Sequence, residues 1–172
     1  YESIKNFKPD VMIVFGSSII KEPLISLLPA GHIINLHLGI SPYYRGSGTN
    51  FWPFVNNELE YLGSTILHLD AGIDTGDIIC HVRPKIEFND NVHTIGCKII
   101  KSSVESLLKI IKLLDTGKKL NRVKQWETCY VCPPPAKRSL SSHGKQAFAV
   151  TQDAKNSKIS GEYCAPGAVS AS

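Results

Sequence analysis

Methionine is almost missing from this chain: of 172 residues only Met12 is one, and the first residue is Tyr1. A natural start is therefore expected upstream, with early elements of the fold outside the sequence. No apolar run approaches the roughly 18 to 20 residues that a membrane-spanning helix needs, and the basic-then-apolar order of a secretory signal is missing from the N-terminus. A dense Lys/Arg run is lacking too. The net charge of +4 comes largely from lysines spread through the second half, so charge alone nominates no nucleic-acid footprint. Cysteines are few: Cys80, Cys97, Cys129, Cys132 and Cys164, an odd number at irregular spacing. That argues against a disulfide framework and suits a reducing, cytoplasmic setting. Cys129-Tyr-Val-Cys132 is a single CxxC without a second half, for which free thiols are the default.

What is present is an ordinary globular composition, 42% apolar and 20% charged, at a length that suits one folded unit. "VMIVFG" (11 to 16) reads as a short buried strand ended by glycine. Ser17 or Ser18 is placed to cap a helix over "IIKEPLISLLP", with Pro23 early and Pro29-Ala30-Gly31 at the exit. "HIINLHL" (32 to 38) follows as a second buried strand, so the two predict a βαβ unit and a parallel sheet. "TNFWPFVNNE" (49 to 58) predicts a short helix with Thr49 as its cap. Strands are expected in 62 to 70 and 78 to 88, joined by the glycine-rich "DAGIDTGD". The strongest three-and-four periodicity runs from 92 to 117, opened by Asp90 or Asn91 and closed by Gly117, and predicts a long helix on the sheet. From Lys137 onward few large apolar residues remain, and a mobile polar tail is expected over 137–172.

Two polar residues interrupt the second strand. Alternation places Asn35 and His37 on one face, and near the carboxyl end of a strand in a doubly wound sheet they project into the crevice where ligands bind. An Asn-x-His pair in a strand is more often structural, so it needs a partner. The glycine-rich loop supplies carboxylates, Asp70, Asp74 and Asp77, although a lone Asp/Gly cluster is more often an ordinary turn. A carboxylate beside His37 raises its basicity and orients the ring. Amide and imidazole N–H groups can stabilise an oxyanion as an amine adds to a carbonyl, while imidazole and carboxylate manage the proton. The chemistry this suits is acyl transfer without a covalent enzyme intermediate.

The segment "VFGSSIIKEPLISLLPAGHIINLHLGISPYYRG", followed at a characteristic distance by "LDAGIDTGDII", resembles the folate-dependent formyltransferases, a family that includes methionyl-tRNA, glycinamide ribonucleotide and sugar N-formyltransferases. The resemblance covers residues 8 to 115. It implies an α/β, Rossmann-like fold with a mostly parallel sheet flanked by helices. Residues 1–117 would form the C-terminal part of a catalytic domain and 118–136 a short extension. It further implies Asn35, His37 and Asp74 as catalytic residues and N10-formyltetrahydrofolate as formyl donor, with no metal. The pterin would lie against Phe15, Gly16 and Ile19 and against Ala71, Gly72 and Ile73.

"SPYYRGSGTNFWP" stands where the tRNA and purine enzymes carry a leucine-rich form, and is more similar to sugar-nucleotide N-formyltransferases of surface-polysaccharide pathways. The acceptor implied is a nucleotide-linked amino sugar, with Tyr43, Tyr44 and Arg45 lining its site and Arg45 available to a phosphate. Related enzymes are often dimers, so a homodimer is a further implication; a nucleic-acid partner belongs only to the tRNA alternative. Two other classes stay open. A metal-dependent hydrolase could use His37, His68, Asp70 or His81. A non-catalytic folate or sugar-nucleotide binding module would keep the fold without chemistry.

Overall fold

The computed structural model describes residues 1–125 and the strand Tyr130–Cys132. The expected tail, most of the extension after 125, and Cys129 and Cys164 lie outside the described residues.

The apolar runs form a four-stranded sheet in the order β1 (Met12–Phe15), β2 (Ile33–His37), β4 (Ser64–His68), β5 (Ile78–Val82). Between β2 and β4 the chain makes a short strand, β3 (Tyr44–Gly46), which pairs in parallel with β6 (Tyr130–Cys132). Helix α1 (Glu2–Phe7) precedes the sheet, α2 (Trp52–Val55) is a single turn, and α3 (Val92–Asp115) is the long helix.

The sheet is mixed. β1 and β2 are parallel, whereas β2 with β4 and β4 with β5 are antiparallel. The expected parallel character thus holds for the first pair only. A parallel step needs a crossover of a dozen or more residues, and β4 and β5 are joined by the short loop 69–77, long enough only for an antiparallel return.

The helix expected over "IIKEPLISLLP" is reduced to a 3-10 turn, Ile25–Leu27. Two prolines and the lack of a side-chain cap leave little to hold a longer helix there. The 49 to 58 helix also shortens to α2, because Thr49 is not its cap: its hydroxyl donates to the Leu38 carbonyl.

α3 follows its sequence signals closely. Asn91 Oδ1 accepts from the backbone N–H groups of His93 and Thr94, and the Thr94 hydroxyl accepts from Asn91 N–H, a reciprocal capping box. At the other end Gly117 sits at φ 73°, the left-handed conformation that closes a helix. Leu107 and Ile110 of α3 pack with Ile34, Leu36, Ile66 and Val82 of the sheet. A second cluster, Val14, Leu28 and Ile33, holds other strand residues. β2 is therefore split by its alternation: Ile34 and Leu36 join the α3 core, and Asn35 and His37 share the face of Ile33. Among the described residues no helix is long and apolar enough to cross a membrane.

Candidate active site

Asn35 lies in the middle of β2 and His37 at its end, so the backbone of a central strand fixes both. Asp74 reaches them from the loop between β4 and β5. The three acidic residues of that loop do different work. Asp70 Oδ1 accepts from Gly72 N–H at 3.0 Å and from the Thr75 hydroxyl at 2.7 Å, folding the loop on itself. Asp77 lies 3.6 Å from Arg122. Asp74 takes a left-handed backbone, φ 52°, unusual for a residue other than glycine, and turns its carboxylate inward.

There Asn35 Nδ2 donates to Asp74 Oδ1 at 2.7 Å, and His37 Nδ1 lies 3.2 Å from Asp74 Oδ2. Gly46 N–H donates to the same Oδ2 at 3.1 Å. His37 is only 7% exposed, and its Nε2 is 2.8 Å from the Tyr44 carbonyl. Each ring nitrogen thus faces an acceptor, and both contacts are hydrogen bonds when both nitrogens carry hydrogen. Space beside the ring is tight: a Cβ on Gly39 would lie 2.7 Å from His37 Nε2 and from the Tyr44 carbonyl.

The three residues line a cleft of about 770 Å³. Phe15, Gly16 and Ile19 on one side and Gly72 and Ile73 on the other belong to its walls; Ala71 does not. The structure adds Leu38, the stretch Gly46 to Phe51, and Val92. Phe15, Ile19, Phe51 and Ile73 are large apolar side chains left about half exposed at this cleft. Such walls suit a flat ring system.

The expected acceptor residues are placed differently. Tyr44 is buried, its hydroxyl donating to Glu58 and accepting from Asn56 Nδ2 at 2.8 Å. Arg45 is 7% exposed, and its Nε has no hydrogen-bond partner among the described residues. Tyr43 is exposed and packs on Tyr61, with ring centroids 4.7 Å apart. None of the three lines the cleft: Tyr44 and Arg45 of β3 are buried, and Tyr43 before it lies on the surface. The same segment instead contributes backbone: the Tyr44 carbonyl to His37 and the Gly46 N–H to Asp74.

Two other histidines, His68 and His81, are held below the usual imidazole range by their surroundings. Burial pushes the His68 imidazole down from its usual range, and the Arg122 charge adds to this. His81 is pushed down by burial too, with its Nε2 on the Ser41 carbonyl. The metal reading drew its ligands from His37, His68, Asp70 or His81; among the described residues no three His, Cys, Asp or Glu side chains are grouped to hold an ion.

Residues 1–111 match the family model described as Formyl transferase. This chain belongs to the formyltransferase family. A methionyl-tRNA formyltransferase of Clostridium tetani is 33% identical over 130 residues, covering 75% of the chain and 42% of that protein. The chain thus spans less than half the length of this curated relative. Among solved structures, the formyltransferase PseJ from Anoxybacillus kamchatkensis, in complex with UDP-4,6-dideoxy-4-formamido-L-AltNAc and tetrahydrofolate, superposes with a TM-score of 0.63 at 25% identity, over 72% of this chain and 64% of that one. A 4-N formyltransferase from Francisella tularensis gives a TM-score of 0.60 at 26% identity, over 76% of this chain and 54% of that one.

Three contributions to this candidate site escaped the sequence. The Tyr44 carbonyl and Gly46 N–H are backbone groups that any residue type supplies. Gln125, whose amide donates to the Asp74 carbonyl at 2.8 Å and the Gly76 carbonyl at 2.7 Å, lies 51 residues from Asp74 with no motif around it.

Proposed function

We propose that this chain carries the chemical centre of an N-formyltransferase that moves a formyl group from N10-formyltetrahydrofolate to the primary amine of a nucleotide-linked amino sugar. The observation that carries the reading is the convergence of Asn35, His37 and Asp74 at one wall of an apolar cleft. The donor fits there: its flat pterin suits the apolar rim of Phe15, Ile19, Phe51 and Ile73. When bound it supplies an activated formyl carbon to the amine.

Asn35 gives one amide hydrogen to Asp74, which fixes the amide plane and leaves the second to meet the oxygen that gains charge as the amine adds. Asp74 holds Asn35 and His37 in register through its two oxygens and balances positive charge on the ring. His37 manages the proton released by the amine. Its Nε2 bond to the Tyr44 carbonyl sets a condition: donation from that nitrogen to the substrate oxygen requires the substrate to take that carbonyl's place.

Support for the acceptor class comes from PseJ, whose complex holds a UDP-linked formamido sugar. The methionyl-tRNA formyltransferase relatives name the alternative acceptor. The deciding experiment incubates the protein with N10-formyltetrahydrofolate and, in turn, nucleotide-linked amino sugars, glycinamide ribonucleotide and charged initiator tRNA, following tetrahydrofolate release with and without chelator. Chelator-insensitive release with an amino sugar is expected. Release with the tRNA alone would replace the acceptor, and release with none would overturn the transferase reading.

A further inference from the structure

We propose that Gln125 is a positioning residue for Asp74, an inference that rests on the transferase reading above. Its carboxamide nitrogen donates one hydrogen to the Asp74 carbonyl at 2.8 Å and the other to the Gly76 carbonyl at 2.7 Å. These two carbonyls flank the tip of the loop, where Asp74 is held at φ 52°. An L-residue in that conformation costs energy and persists only where its surroundings over-determine it. Both amide hydrogens of Gln125 are spent on that task.

The site is built for it. Gly76 has no room for a side chain, since a Cβ would run into the His68 carbonyl, so its backbone is pinned against β4. Two residues before Gln125, Val123 exchanges backbone hydrogen bonds with Ile78 at 2.7 and 3.0 Å, which anchors the segment to β5 at the far end of the same loop. Gln125 thus reaches the Asp74 loop from a segment fixed to its exit strand. Among the described residues its Oε1 is buried without a partner. A buried acceptor left unpaired costs stability, so this amide is a poor choice for fold strength alone and a suitable one for fixing two carbonyls. Gln125 does not line the cleft, and its effect on transfer passes through Asp74.

The test is a double-mutant cycle in the full chain with Gln125→Glu, which keeps the shape and removes both donors, and Asp74→Asn. With Asp74 present, Gln125→Glu lowers kcat by about tenfold to a hundredfold, the scale of a small misplacement at a reacting centre. In the Asp74→Asn background the same change has almost no further effect, because the group being positioned is already disabled. Equal losses in both backgrounds, or native kcat in Gln125→Glu, would overturn the proposal. If the native chain transfers no formyl group, the transferase reading fails on its own, and backbone amide exchange over 70–77 decides the staple. Faster exchange there in Gln125→Glu supports it; unchanged exchange overturns it.

Discussion

His37 and His68 lie on neighbouring strands of one sheet, 7% and 5% exposed, yet their surroundings differ in the sign of the charge beside the ring. His37 has Asp74 against Nδ1 and a carbonyl against Nε2. His68 has the Asn121 carbonyl at 3.1 Å from Nε2 and Arg122 nearby, and burial and that charge outweigh the opposing pull of Asp77 and of the Asn121 and Gly31 backbone. The first ring lies between two acceptors; at the second, burial and then the Arg122 charge oppose protonation. Burial alone therefore does not distinguish the two histidines. The carboxylate beside His37 does, and it comes from a loop whose backbone turns left-handed at Asp74.

The largest effect that separates the two is on turnover. His37→Ala is expected to lower formyl transfer by about a hundredfold to a thousandfold, the cost of losing one group that stabilises developing charge. His68→Ala is expected to leave transfer close to native and to lower resistance to urea instead, by roughly 1 to 3 kcal/mol. Equal loss of turnover in both would erase the distinction.

Gly39→Ala sharpens the geometry of the His37 side. Its Cβ would meet His37 Nε2, the Tyr44 carbonyl and Thr49 Cβ at 2.7 Å, so something must shift. Transfer is expected to fall by about tenfold or more, measured against an unchanged rate for a glycine-to-alanine change at Gly96, which has open space and lies on α3. A smaller effect is expected from Tyr44→Phe. Removing the hydroxyl between Glu58 and Asn56 costs about 1 kcal/mol of unfolding free energy, with the KM for the acceptor unchanged, because the ring faces inward. A raised acceptor KM would restore Tyr44 to the acceptor site.

The smallest effect is on the pH dependence of stability. A histidine whose pKa is depressed in the folded state is protonated more readily unfolded, so the stability it contributes is present above the ordinary value of about 6.5 and is lost as pH falls below it. His68 and His81 both act in this direction. Melting temperature should drop between pH 7 and pH 5, and His68→Gln should flatten part of that slope. An unchanged slope would show that His68 stays uncharged in both states or charged in both.

The sequence carried the apolar strands, the capped and glycine-closed α3, and the shared face of Asn35 and His37, since these follow from periods of two and 3.6 and from end chemistry. It also pointed to the carboxylates of the glycine-rich loop, Asp70, Asp74 and Asp77, among which the family resemblance singled out Asp74. The antiparallel return of β4 and β5 was less legible, because it depends on which strands meet. Tyr43, Tyr44 and Arg45 read as acceptor contacts from their chemistry, but their direction depends on tertiary contacts, and the Tyr44 hydroxyl meets Glu58. Gln125 was invisible because its meaning lies in two carbonyls, one of them 51 residues away.

The most direct measurement of the central claim is tetrahydrofolate release by Asn35→Ala and Asp74→Asn beside the native chain, with binding of the folate donor followed in parallel. The account predicts turnover lower by about a hundredfold or more in each variant, with donor binding nearly unchanged. Near-native turnover in either would contradict it.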